Sequence, residues 1–102
     1  MTTIYKYELE VTDSQEISLP PSASILSAQV QQGKVCLWVR LYPAELYLAD
    51  AREIRIYGTG HPIEPTLNLR FIDTVQLANG SLVFHVFEVL GRYNEVNDLR
   101  LN

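Results

Sequence analysis

Cysteine is nearly absent from this 102-residue chain: Cys36 stands alone, so no internal disulfide can form. Nothing therefore indicates an oxidising compartment, and a reducing cytoplasm is the expected setting. Basic charge is scarce as well, with Lys6 and Lys34 the only lysines and eight bases against twelve acids. The resulting net charge of −4 argues against a phosphate-tracking surface, so nucleic acid is not an expected partner. The acids are also scattered singly, which excludes an acidic tail of the kind that mimics nucleic acid.

Long apolar runs are missing. Lys6, Glu8 and Glu10 interrupt the N-terminal segment, and nowhere do about 18 apolar residues follow one another, so neither a signal peptide nor a membrane span is expected. Metal-ligand spacing is missing too: one cysteine, two histidines and dispersed carboxylates show no CxxC or HxxxH pair. No metal and no cofactor are expected.

What the chain does contain is enough apolar residue, 47% against 20% charged, to pack one core. At this length it is one domain. Period-two alternation opens it, with Tyr5, Tyr7, Leu9 and Val11 facing one way and Lys6, Glu8 and Glu10 the other. Ile17 and Leu19 alternate with Glu16 and Ser18 until Pro20 and Pro21 end the ladder. From Ile25 to Gln32 the inward set reads Leu26, Ala28 and Val30, and Gly33 with Lys34 reverses the chain. The return strand, Val35 to Tyr42, is apolar on both faces, which predicts a central strand covered on both sides.

Residues 43–51 suit neither strand nor long helix and read as an irregular excursion. Alternation resumes at Glu53 to Tyr57 and stops at Gly58-Thr59-Gly60-His61-Pro62, the most distinctive loop. Phe71 to Leu77 and Leu82 to Leu90 flank Ala78-Asn79-Gly80-Ser81, and Asn-Gly between two such runs signals a hairpin. The fold class that follows is all-β: about seven antiparallel strands in a small sandwich or partly open barrel, ending in a β-hairpin. The strands occupy residues 1–90, and 91–102 read as a polar C-terminal tail.

Chemistry-bearing residues are few. His85 lies among Val83, Phe84, Val86 and Phe87, where an imidazole reads as a hydrogen-bonded core residue. His61 sits in a loop, where binding residues concentrate, although Pro62 after it also suits a rigid turn. No catalytic residue is assigned. Gly58, Thr59, Gly60 and His61 could free backbone amides as a nest for an anion, helped by Arg55 or Arg70. Asp73, alone on a strand face between Phe71 and Val75, reads as a side chain that bonds backbone. Trp38 and the six tyrosines could stack bases, but no basic groove accompanies them. Leu46, Tyr47 and Leu48 offer an exposed apolar patch for a protein partner.

Several stretches together carry a likeness: Ile4-Tyr5-Lys6-Tyr7, Ile25 to Gln31, Cys36-Leu37-Trp38, Gly58 to Ile63, Thr74-Val75-Gln76-Leu77 and Val83 to Glu88. In these the chain resembles a family of short phage and prophage proteins known only as a domain of unknown function. The resemblance spans residues 3–89. It departs at Tyr42 to Ala51, more apolar than the family's polar, proline-rich loop, and beyond Leu90, where the tail is an addition. The likeness implies a fold and a genomic setting rather than a reaction.

The expectation is then a non-catalytic accessory protein working in the host cytoplasm by occupying a host protein, a defence component among the candidates. Self-association through the Leu46 to Leu48 patch is an equal alternative. Two further readings compete: sequestration of a small anionic ligand such as a cyclic nucleotide signal by the Gly58 loop, and a small phosphoester hydrolase using His61 or His85.

Overall fold

The computed structural model describes residues 1–93. Seven strands follow one another: β1 (Thr3–Leu9), β2 (Ser14–Leu19), β3 (Ser24–Gln31), β4 (Lys34–Leu41), β5 (Asp50–Gly58), β6 (Leu67–Leu77) and β7 (Leu82–Arg92). All pair antiparallel, in two sheets ordered β1-β4-β3 and β2-β5-β7-β6. The sheets stack without closing into a barrel. Between them lies one apolar core, in which the alternate residues Val35, Leu37, Val39 and Leu41 of β4 meet Ile54, Ile56, Val75 and Val86 of the second sheet.

Local chemistry explains most of the connections. Gln32 and Gly33 both adopt positive φ, 52° and 76°, as a two-residue hairpin turn between right-twisted strands demands. Ala78, Asn79 and Gly80 reverse the chain between β6 and β7 with positive φ at all three, 51°, 56° and 88°. The terminal hairpin is therefore as expected. Pro43 starts a 3-10 helix, Pro43–Leu48, within the irregular excursion, and β5 begins at Asp50, earlier than the alternation at Glu53 suggests.

Four details of the sequence reading are corrected. Leu26 is 49% exposed, because a bulge between Ile25 and Ser27 shifts the register and turns Ile25 inward in its place. Val11 lies beyond the end of β1 and is exposed. Phe71 is also exposed, since a second bulge between Phe71 and Asp73 splits β6, which starts at Leu67. β4 is central in its sheet, but among the described residues no further layer covers its outer face, where Cys36 is buried, Trp38 half-buried and Arg40 exposed. Instead, Lys6 Nζ donates to Gln31 Oε1 at 2.8 Å, a bond that spans β4 from β1 to β3.

The two sides of the sandwich differ. On one side the edge strands β3 and β6 pack against each other. There Asp73 accepts from the Ala28 backbone N–H through Oδ2 at 3.3 Å and from Thr74 N–H through Oδ1. The carboxylate takes the place of a missing strand neighbour for β3, so the expected backbone role of Asp73 has a specific target. Asp73→Ala orphans the Ala28 N–H and is expected to cost about 1 to 2 kcal/mol in urea unfolding. A variant as stable as the parent would mean that water serves Ala28 equally well. On the other side, β1 and β2 each end their sheet, and residues 10–13 join them, with the Gln15 side chain bonding the Glu10 backbone.

β7 continues to Arg92, past the boundary expected at residue 90, and the Tyr93 N–H donates to Thr66 O at 2.7 Å. The rest of the expected tail, 94–102, lies outside the described residues. Among the described residues no helix is long and apolar enough to cross a membrane.

Candidate functional site

Alternation along β5 separates its side chains into two sets. Ile54 and Ile56 face the core, while Glu53, Arg55 and Tyr57 lie on the outer face of the four-stranded sheet. Register then places Phe87 beside Arg55 and His85 beside Tyr57, with Thr74 and Phe71 of β6 next in the row. His85 thus shares a face with Val83, Phe87 and Val89 as expected, but that face is the outer one, so the core placement is corrected. Its ring is held at both nitrogens by hydroxyls: Thr59 Oγ1 at 2.7 Å from Nε2 and Thr74 Oγ1 at 2.9 Å from Nδ1. A neutral imidazole has one N–H, so one threonine accepts and the other donates. Among the described residues no carboxylate bonds this ring, and the orienting anion of a hydrolytic triad is missing.

The Gly58 to Pro62 segment turns sharply. His61 N–H donates to Gly58 O at 3.0 Å, Gly60 takes a φ of 88°, and the His61 ring folds onto Gly58. A Cβ on Gly58 would stand 2.8 Å from His61 Cε1, so glycine is what lets the ring lie there. The two histidines therefore flank the same Gly58-Thr59 step, His61 against the glycine and His85 against the threonine. His61 separates two clefts. One, of about 360 Å³, is lined by Gly58, Thr59, Ser81, Leu82, Val83 and Phe84 as well as His61. The other, of about 270 Å³, is lined by Asp13, Arg55, Tyr57 and Glu64 among others.

Charge around this corner is already neutralised. Arg55 Nε donates to Glu53 at 2.8 Å and its Nη1 reaches Glu64 at 3.5 Å. Burial pushes the Glu53 carboxyl up, but bonds from Arg55, Arg92 and Ser14 outweigh this and hold it below its ordinary range. Tyr57 donates its hydroxyl to Glu64 Oε2 at 2.8 Å. The Glu64 carboxyl is held down first by its own backbone N–H and then by this phenol. An anion arriving here competes with two carboxylates for one guanidinium.

The structure gathers Gly58, Thr59, Gly60, His61 and Arg55 at this corner, but not Arg70. Arg70 pairs with Glu88, four residues along β7 from the Phe84 that faces Gly58, or roughly 13 Å of strand. Its Nη2 lies 3.9 Å from Glu88 and donates to Ile25 O at 3.4 Å.

Sequence reasoning missed the cluster Arg70 belongs to. Glu88, 4% exposed, receives Arg52 in a bidentate pair, Nε at 2.6 Å and Nη2 at 3.0 Å, and Arg52 Nη1 donates to Ala23 O at 2.8 Å. Both arginines thus tie the buried carboxylate to main-chain carbonyls at the start of β3. The available signal was a lone Glu within the apolar run Val83 to Leu90. A concavity of about 420 Å³ opens beside this cluster, lined by Glu16, Arg52, Glu53, Glu88 and Arg92 among others; both of its arginines are engaged, in the Arg52–Glu88 and Arg92–Glu53 pairs.

The third feature is the 3-10 helix. None of its six residues is buried, and Leu46, Tyr47 and Leu48 are 38%, 83% and 47% exposed. The preceding Tyr42 is 41% exposed, and Glu45 accepts from the Ser22 hydroxyl, anchoring the segment by a polar contact rather than an apolar one. These three apolar side chains contribute nothing to the core.

The sequence of the whole described length matches one family. The chain belongs to the family described as Domain of unknown function (DUF7352), whose profile matches residues 1–95. The DUF7352 match takes in all seven strands, the histidine corner and the exposed 3-10 helix. No curated protein and no solved structure matches the chain.

Proposed function

We propose that this DUF7352 protein is a non-catalytic binding protein that captures a protein partner through the apolar surface of Pro43–Leu48. The observation that carries the proposal is the exposure of Leu46, Tyr47 and Leu48 together on a segment that buries no residue of its own. Folding does not require these side chains to be apolar, whereas a partner's pocket does. Tyrosine supplies contact area at low entropic cost, and exposed apolar side chains grouped in this way favour an interface.

The likeness to short phage and prophage proteins supports the finer setting: an accessory protein in the host cytoplasm, with a host protein, including a defence component, as the target. Hydrolysis has less support, because His85 is held by two threonines and lacks a carboxylate. Sequestration of a small anion has less support because Arg55 is committed to Glu53 and Glu64, and Arg70 to the Glu88 cluster.

Leu46→Glu with Leu48→Arg is the test. Both positions are exposed, so stability is expected to hold within about 0.5 kcal/mol. Capture of a host protein by the parent chain, measured with purified partner once identified, is expected to weaken at least 100-fold in this variant. Equal affinity in parent and variant removes the patch from the interface.

A further inference from the structure

Of the four strands that end a sheet, β3 and β6 cover each other, and β2 is short, polar on its exposed face and stopped by Pro20 and Pro21. β1 differs. It runs seven residues without proline or glycine, carries Ile4 at 57% and Tyr5 at 39% exposure, and among the described residues has no strand on its outer side. Its outward N–H and C=O groups form an unpaired row, which is a template for another strand.

We infer that β1 is a dimerisation edge: two copies pair β1 antiparallel about a twofold axis through Tyr7, with Lys6 of each facing Glu8 of the partner subunit.

The sequence of the strand selects both the occupant and the register. Keeping both cores on one side of a joined sheet requires the axis to pass through a residue. An axis through Lys6 sets lysine against lysine, and one through Glu8 sets glutamate against glutamate. Through Tyr5, neither charge meets an opposite one. Only the axis through Tyr7 matches Lys6 with Glu8 twice on the outer face, while Tyr5 meets Leu9 and Tyr7 meets its own copy on the core side.

Existing contacts agree with this register. Among the described residues Glu8 makes no ion pair or hydrogen bond with another side chain, and Lys6 is engaged only by the exposed Gln31. Tyr7 already packs on the core from the open side of the sandwich, so its counterpart in the second copy would close that side. The product is a six-stranded sheet made of two three-stranded ones, with about four new main-chain hydrogen bonds, two in each Lys6–Glu8 pair. This surface is distinct from Leu46 to Leu48, and the inference does not rest on the partner-capture proposal.

Light scattering on the eluting full chain at tens of micromolar decides the matter. The parent is expected at twice the 11.6 kDa chain mass. Lys6→Glu or Glu8→Lys alone replaces both attractive pairs by repulsive ones and is expected to weaken the dimer about tenfold or more, whereas Lys6→Glu with Glu8→Lys restores it. Both sites are exposed, and circular dichroism checks that each variant folds. As a second readout, β1 amides are expected to exchange faster on dilution of the parent. A monomeric parent at millimolar concentration overturns the inference, as does a double variant that fails to recover. A dimer broken by Leu46→Glu/Leu48→Arg but not by either charge reversal overturns it too, and assigns self-association to the 3-10 helix.

Discussion

Arg52→Ala is expected to destabilise the domain by about 3 to 5 kcal/mol, the cost of stranding a buried carboxylate without its partner. Glu88 is 4% exposed, and Arg52 supplies both of its close hydrogen bonds, at 2.6 and 3.0 Å. Arg70, at 3.9 Å, is too far to replace them. The same substitution frees Ala23 O, which Arg52 Nη1 holds at 2.8 Å, so β5, β7 and the entry to β3 lose their common tie. In a domain of this size the loss corresponds to roughly 15 to 30 °C in melting temperature. Replacing both partners by apolar residues, Arg52→Met with Glu88→Leu, should recover much of it, because no charge then remains to be solvated. Thermal and urea unfolding of the two variants make the comparison. A loss under about 1 kcal/mol in Arg52→Ala would show that solvent reaches Glu88 easily and that the cluster does little to hold the fold.

The contrast between Arg52 and Leu26 shows what the sequence could and could not carry. Strand number, fold class and the last hairpin were legible because alternation and Asn79-Gly80 are local signals, written within a few residues. The bulges at Ile25/Ser27 and Phe71/Asp73 were not, since each is decided by the neighbouring strand, and each inverts the facing of residues beyond it. That is why Leu26 and Phe71 point outward against expectation. At the candidate site, the Gly58 turn was legible from its glycines, and the exposed Leu46 to Leu48 segment from its misfit with either period. The long-range partners were not. Thr74 finds His85 only through the β6–β7 register, and Glu64 finds Tyr57 and Arg55 only because the loop folds back. Arg70 was set beside Gly58 for its charge, and the register instead aims it at Glu88.

Alkaline pH should open the same corner. Burial pushes the Tyr57 phenol up to about 12, with the bond to Glu64 and the charge of that carboxylate adding to it. An unfolded chain ionises the phenol near its ordinary value of 10.0, so between there and about 12 it releases a proton that the folded state retains. The stabilisation is therefore intact below about pH 10 and is lost as the pH climbs through about 12. Two pKa units correspond to about 3 kcal/mol. Tyr57→Phe has no proton to lose here, and its unfolding free energy should fall more gently than that of the parent over this window. Glu64→Gln is an intermediate case, because burial alone still raises the phenol. The measurement is urea unfolding at about pH 9, 10, 11 and 12 on all three chains, read as differences so that the other tyrosines cancel. Parallel curves for parent and Tyr57→Phe would mean that Tyr57 ionises freely in the fold. Diverging curves would tie the Gly58 to Glu64 turn to its strand through this one hydroxyl.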